Sequence, residues 1–385
     1  MTPHVWNEGG SPRVVAGIRF ALNRKYQAWR LLRECIRRRG GPLTHRDFIA
    51  VGASSGGVDA LRALASSLPQ DMPAAIAIVL HVGAHTSILP SLLSTSGPLA
   101  AEHACDGQIY LPGRIYIAPP DQHLVVDGPR LRLVHGAKEN FARPAIDPLF
   151  RSAAAELGAR AIGVVLTGLL DDGAAGLEAI RACGGATLVQ DPSEAFAKDM
   201  PLNASPFADD VLPLGGLASR LVELTGGGTG GSGAADGATS ATPAASNAVD
   251  SAREAARRRT ALEQRAWRGA PLPPEALSQI ATPSTYTCPE CNGALWRVSE
   301  SGLLRYRCHT GHAYSGASLG YGRRDDVERS LLDAVRALRE QALMSRTLGE
   351  HFGKAGNTAA QLHEEETARR ANEAAGVLQS LLLER

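Results

Sequence analysis

Phe48-Ile49-Ala50-Val51-Gly52-Ala53-Ser54-Ser55-Gly56-Gly57 is the stretch from which the rest of the chain is read. An apolar run of strand length stops at a glycine, a serine follows, and two glycines lead into Val58-Asp59-Ala60-Leu61-Arg62-Ala63-Leu64. That second run has helical spacing, so the element reads as strand, tight turn, helix. Ser54 falls at the tip of the turn, beyond the C-terminal end of a strand. A hydroxyl there is exposed, and the first N–H groups of the helix can stabilise a developing oxyanion. Gly52-Ala53-Ser54-Ser55-Gly56 fits the G-x-S-x-G nucleophile elbow, a short pattern that also arises by chance. A Gly-rich turn opening a helix also suits a phosphate, but G-x-G-x-x-G and a Walker lysine are absent. The third reading is a βα turn without chemistry, and the turn alone does not choose among the three.

Working outward, strands alternate with helices from Asp47 to about Glu223. Ala74–Val82 reads as a buried parallel strand, with a helix-like stretch around Ile88–Leu93. Arg114–Ala118 is a strand ended by Pro119-Pro120, and Leu124–Val126 and Leu131–Leu133 flank Asp127-Gly128 as a hairpin. Asp147–Leu157 reads as a helix with an aspartate N-cap. Ala161–Thr167 is a strand, Ala174–Cys183 a helix, and Ala186–Gln190 another strand. This alternation predicts an α/β fold, a doubly wound, mostly parallel sheet with helices on both faces. In such sheets the site lies beyond the C-terminal ends of the strands.

Two further residues fall at that edge. Ala74–Val82 closes on Val79-Leu80-His81, and Ala161–Thr167 runs into Gly168-Leu169-Leu170-Asp171-Asp172-Gly173. A serine hydroxyl is a weak nucleophile unless a base takes its proton, and the imidazole needs a carboxylate to fix its tautomer. Singly, His81 reads as a strand-end histidine bonded to backbone and Asp172 as an N-cap. Together with Ser54 they make a candidate triad. The order Ser, His, Asp differs from the Ser, Asp, His of α/β-hydrolases, so a lipase-like enzyme is not expected.

At these residues the chain resembles a known family, the catalytic domain of CheB-type chemotaxis methylesterases (protein-glutamate methylesterases). The landmarks are Ile49–Gly57, Leu80-His81, Leu111-Pro112-Gly113 with Tyr116-Ile117-Ala118-Pro119, and Arg143–Phe150. Leu166-Thr167-Gly168, Asp172–Gly176, Gln190-Asp191 and Met200-Pro201 complete them. The resemblance covers residues 47–223. It implies Ser54 as nucleophile, His81 as base, Asp172 as its orienting carboxylate, and an oxyanion site at Ser55 and the Leu169 region. It implies no cofactor for catalysis. The substrate it implies is a glutamate methyl ester on a chemoreceptor-like protein, with glutamine deamidation as a second activity. Ser55 stands where the family usually has Thr, and Leu169-Leu170-Asp171 where it has Met-Gly-Asn. Asp171 beside Asp172 leaves open which carboxylate faces His81. The changed loop keeps an alternative alive, a non-catalytic adaptor that binds methylated receptor helices.

The flanks read differently. Residues 1–46 carry ten Lys/Arg against Glu8 and Glu34, within a chain of net charge +1. The remainder is therefore net acidic, which argues against a nucleic-acid partner. This stretch reads as a basic leader, and it cannot make the receiver domain that many relatives carry at the N-terminus. Control is then expected from the C-terminal region. No apolar run reaches a membrane span and no secretory signal opens the chain, so the expected location is cytoplasmic. Residues 224–284 open on a Gly/Ser/Thr/Ala tract and read as a flexible linker with a helix-prone basic segment at Ala252–Trp267.

Cys288-Pro289-Glu290-Cys291 and Cys308-His309-Thr310-Gly311-His312 give four soft ligands at 285–320, suited to a closed structural zinc site. Cys288, Cys291, Cys308 and His312 are the expected ligands, with His309 the alternative to His312. The pattern is similar to zinc-ribbon tails that accompany some methylesterases without receivers. Cys35, Cys105 and Cys183 read as packed thiols in a reducing compartment. From 321 to 385 the chain reads as helical. Val327, Leu331, Val335, Leu338 and Ala342 form one stripe, and Thr358–Leu383 can pair with it. The hairpin is either a solvated pair or a dock for a signalling partner.

Overall fold

The computed structural model describes residues 45–81, 87–226, 243–267, 272–298 and 302–383. Most of the basic leader and the Gly/Ser tract lie outside them. β1 (Phe48–Ala53) is buried at every position. A strand covered by helices on both faces has no solvated side, which is why its sequence is a continuous apolar run rather than an alternation.

In chain order there follow α1 (Gly57–Ser67), β2 (Ala75–Leu80), α2 (Leu89–Ser96), β3 (Ala100–His103), β4 (Arg114–Ile117), β5 (His123–Asp127) and β6 (Arg130–Val134). Then come α3 (Ile146–Leu157), β7 (Ala161–Val165), α4 (Ala174–Ala182), β8 (Ala186–Gln190), α5 (Asp199–Ala204), β9 (Asp210–Leu212), α6 (Leu214–Thr225) and α7 (Pro243–Trp267). Seven strands form one sheet in the order β3-β4-β2-β1-β7-β8-β9. Every pairing in it is parallel. β5 and β6 make the separate antiparallel hairpin.

Alternate residues of β1 face opposite layers. Ile49, Val51 and Ala53 join a core with Leu61 and Leu64 of α1, Leu93 of α2 and Leu217 and Leu221 of α6. On the other face Gly52 lies under Ile146 of α3, where a Cβ would sit 2.4 Å from Ile146 Cγ2. The chain leaves β1 toward β2 on one side and returns to β7 on the other. β1 is thus the switch point of the sheet, the place where such folds put their sites.

Two expectations are corrected in this part of the chain. Asp147 is not the N-cap of α3, because Ala145 holds that position. Its buried carboxylate instead accepts the N–H groups of Gly173 (3.2 Å) and Gly176 (2.7 Å), capping the neighbouring helix α4. Nor is the whole of 224–284 a flexible linker. Glu263 of α7 pairs with Arg151 of α3 at 3.0 Å, both side chains being almost wholly buried. Arg253 and Arg257 of the same helix donate to the carbonyls of Glu156 and Ala155 at the end of α3. Composition flagged the absence of a large apolar face, but α7 is held by charge on a buried arginine and on a helix C-terminus.

The chain divides into two compact units, the first ending at Gly269 and the second made of residues 137–141 and 270–385. The second unit contains α8 (Pro274–Leu277) and a four-stranded antiparallel sheet, β10 (Ala281–Thr287), β11 (Ala294–Val298), β12 (Arg305–Cys308) and β13 (Ala313–Ser315). Its core is small: Cys288, Leu295, Tyr306, Cys308, Tyr314 and Leu319, with Phe141 packed against it. Arg307 and Glu139, both essentially inaccessible, form an ion pair at 2.6 Å within it. α9 (Gly316–Lys354) and α10 (Thr358–Leu383) complete the unit. They pack through Ala342, Ala368 and Ala371, small side chains that allow close approach. Val335 and Ala342 of the expected stripe are buried, whereas Val327 is exposed.

Candidate active site and metal cluster

Ser54, His81 and Asp172 follow β1, β2 and β7, and these three strands are neighbours. His81 Nδ1 lies 3.1 Å from Ser54 Oγ, and His81 Nε2 lies 2.8 Å from Asp172 Oδ2. The carboxylate accepts a hydrogen bond from Nε2–H, which leaves Nδ1 as the acceptor for the serine hydroxyl. The ring therefore offers Nδ1 to the nucleophile, the reverse of the arrangement in which Nε2 faces the serine.

Asp172 is 2% exposed, and its charge is held by backbone. Oδ2 accepts the Ile146 N–H at 2.6 Å and Oδ1 the Asp147 N–H at 3.3 Å. These are donors of the first turn of α3, which have no partner inside their own helix and favour a negative charge. Asp172, and not Asp171, faces His81. Asp171 is also buried, and its carbonyl accepts the Ala174 N–H at 3.2 Å.

The turn at Ser54 is fixed from both sides. Its N–H donates to Thr167 O at 2.9 Å, and its carbonyl accepts the Gly57 N–H at 2.8 Å. Because the Ser54 N–H is engaged, it is not available to an oxyanion, and Ser55 supplies the next backbone donor before α1. Gly56 has φ +76°, and a Cβ on it would sit 2.5 Å from Phe196 Cβ, so glycine is required on both counts. The Thr167 hydroxyl donates to Ser55 O at 2.9 Å and accepts the Ala197 N–H at 2.8 Å, tying the serine turn to the segment before α5.

Leu169 is exposed, and Leu170 has φ +61°, a left-handed backbone that a leucine adopts only at a cost. The carbonyl of Leu170 is held by Asn203 Nδ2 at 2.9 Å. The loop 169–171 is thus strained but anchored. Sequence reading singled out this loop as altered, yet missed Thr167, Met200 and Asn203 as its supports. Thr167 and Met200 fell within the landmark segments Leu166-Thr167-Gly168 and Met200-Pro201, whereas Asn203 carried no sequence signal.

In the second unit the ligand atoms of Cys288, Cys291, Cys308 and His312 all lie within 4.8 Å of one another. Cys291 and Cys308 sulfurs are 3.7 Å apart, and His312 Nδ1 is 3.6 Å from the sulfurs of both Cys288 and Cys308. A tetrahedral zinc with Zn–S of about 2.3 Å and Zn–N of about 2.0 Å demands S···S edges of about 3.8 Å and S···N edges of about 3.5 Å. The donor set fits that polyhedron. Hydrogen bonding from Cys288, His312 and Thr310 pulls the Cys308 thiol far below its usual range, toward the thiolate a metal needs. Glu290 lies 3.5 Å from His312 Nε2, as an outer carboxylate orienting a ligand imidazole would. His309 is exposed and stands outside the cluster, its ring against Gly293.

Comparison with known proteins bears on the first unit. Residues 49–221 match the family model described as CheB methylesterase. The domain belongs to the CheB methylesterase family. A "Protein-glutamate methylesterase/protein-glutamine glutaminase 2" of Xanthomonas oryzae pv. oryzae is 38% identical over 183 residues, 46% of this chain and 51% of that protein. A "Protein-glutamate methylesterase/protein-glutamine glutaminase 3" of Anaeromyxobacter dehalogenans is 38% identical over 178 residues, 45% of this chain and 52% of that one. The Thermotoga maritima CheB methylesterase catalytic domain is 31% identical, with a TM-score of 0.45 over 46% of this chain and 98% of its own. The chain spans about half the length of the curated relatives it matches. No described helix is long and apolar enough to cross a membrane.

Proposed function

We propose that the methylesterase domain hydrolyses methyl esters of glutamate side chains on a chemoreceptor-like signalling protein, and deamidates glutamine at the same site. The observation that carries this reading is the hydrogen-bonded line Ser54 Oγ–His81 Nδ1/Nε2–Asp172 at the ends of three adjacent strands. Ser54 Oγ attacks the ester carbonyl as its proton passes to His81 Nδ1. Asp172, held by the first turn of α3, stabilises the imidazolium that forms. The Ser55 N–H and the Leu169 region receive the oxyanion. His81 returns the proton to departing methanol, or to ammonia from an amide, and then activates the water that frees the acyl-enzyme. Ser54, at the tip of a turn, and His81, partly exposed, can meet a side chain presented by another protein, while the carboxylate stays dry.

The second unit holds one zinc on Cys288, Cys291, Cys308 and His312. Four protein ligands leave no open position, so the metal is a staple for a core too small to fold unaided and takes no part in the reaction. The five described cysteines are all unpaired, which suits a cytoplasmic setting. Exposed Leu332, Leu343, Met344 and Leu348 on α9 offer the hairpin a surface for a signalling partner.

The test is methanol release from γ-methyl-esterified protein by the full chain. Ser54→Ala should reduce it by at least about a thousandfold while the far-UV spectrum and melting profile are kept. A Ser54→Ala protein that releases methanol at the parental rate would remove serine catalysis.

A further inference from the structure

Around Ser54 the first unit leaves three large apolar side chains in solvent. Phe196 is 82% exposed, Leu169 56% and Leu202 50%. Single exposed leucines are ordinary, but these three belong to segments tied to one another and to the nucleophile turn. The Phe196 Cβ stands directly over Gly56, two residues from Ser54. The next residue, Ala197, accepts the Gly168 N–H at 2.9 Å, and Gly168 in turn accepts the Met200 N–H at 2.9 Å. A Cβ on Gly168 would lie 2.8 Å from Ser54 Cβ, so Leu169 begins one residue from contact with the nucleophile. Leu202 follows from Met200 within α5, and Asn203 of the same helix holds Leu170.

The hydrogen bonds therefore fix the backbone of this rim while its side chains stand largely in solvent. A phenylalanine held open in this way, beside a serine that takes an ester, has a use only when a ligand covers it.

We propose that Phe196, with Leu169 and Leu202, is the specificity-determining rim of the site and selects glutamyl esters flanked by apolar side chains of a polypeptide. This rests on the hydrolase reading above. The rim acts in binding: it covers an apolar neighbour of the glutamyl group, excludes water from the acyl carbon and presents the ester to Ser54. Polypeptides whose glutamyl esters sit among polar neighbours leave the rim wet and are poor substrates.

Two synthetic peptides of equal length, with a glutamate γ-methyl ester flanked by leucines in one and serines in the other, test the rim on the full chain. Burying one leucine side chain against it corresponds to about tenfold in kcat/KM in favour of the leucine peptide. In Phe196→Ser that ratio should fall to about twofold or less, with the loss in KM. Phe196→Leu should restore most of the preference, and Leu202→Ser should lower it less than Phe196→Ser does. Equal use of the two peptides by the parental chain overturns the proposal, as does a ratio that survives in Phe196→Ser. p-Nitrophenyl acetate separates the failures. If it is cleaved but neither peptide is, the rim assignment falls and serine catalysis stands. If no ester is cleaved, both fall.

Discussion

Asp172→Asn isolates the one interaction that decides whether His81 can act as a base. The carboxylate accepts from His81 Nε2 at 2.8 Å and from the Ile146 N–H at 2.6 Å through the same oxygen, with Asp147 N–H on the other. An asparagine has one oxygen to offer. Turned with its NH2 in the place of Oδ2, the amide gives up the Ile146 N–H and keeps only the Asp147 N–H on its oxygen; Nε2 must then accept, the ring proton moves to Nδ1, and Nδ1 points a donor at Ser54 Oγ. The serine keeps its geometry and loses its base. Turned the other way, the amide still accepts from Nε2 but lacks the charge that stabilises the imidazolium. Loss of the tautomer alone costs about 10⁴ in kcat in the serine-protease template, or about 5.4 kcal/mol at 1.36 kcal/mol per decade. A fall of 10³ to 10⁴, about 4 to 5.4 kcal/mol, is expected here, because the partly exposed His81 can still exchange protons with water. The assay is steady-state hydrolysis of p-nitrophenyl acetate and of a glutamate methyl ester, with thermal melting as control. Asp171→Asn, whose carboxylate does not face His81, should lose less than tenfold. A Asp172→Asn rate within tenfold of the parent, or a larger loss in Asp171→Asn, would refute the tautomer argument.

What the sequence revealed and what it hid follow from the range over which each force acts. β1, β2, β7 and β8 were legible because a buried parallel strand must be apolar throughout, and the serine, the histidine and the aspartates at their ends stood out by position. The choice between Asp171 and Asp172 was not legible, because it depends on the N-terminus of α3, a helix 25 residues upstream. Asp147 misled for the same reason: its composition says N-cap, and it does cap, but it caps α4 across the layer. β3 and β9 escaped because four-residue and three-residue edge strands with exposed positions carry no periodic signal. α7 lacked an apolar face, and what holds it, Glu263 on Arg151, is a pairing across 112 residues that no local pattern encodes. The clustering of Cys288, Cys291 and Cys308 with a histidine was legible from spacing, since a metal polyhedron restricts loop length, and it is His312 rather than His309 that stands among the cysteines.

Two further outcomes are expected. Elemental analysis should find one zinc per chain; Cys308→Ser should lose it and Cys183→Ser should not, because Cys183 lies buried at the end of α4 in the first unit and is no member of the cluster, and a metal-free Cys183→Ser protein would break the assignment. Leu170→Gly should be more stable than Leu170→Ala. Both lose the contacts of the half-buried leucine, and only glycine relieves a left-handed backbone worth about 1–2 kcal/mol, of which its added freedom in the unfolded chain returns about 0.4–1 kcal/mol. The difference of about 0.5–1 kcal/mol is about 1–4 °C in Tm for a domain of this size, read by calorimetry. The opposite ranking, alanine above glycine, would mean that the left-handed backbone at Leu170 carries no strain. Under the expected ranking, the strain is carried at a loop one residue from the proposed oxyanion donor at Leu169, and the relaxed glycine variant should show its effect on kcat rather than on KM.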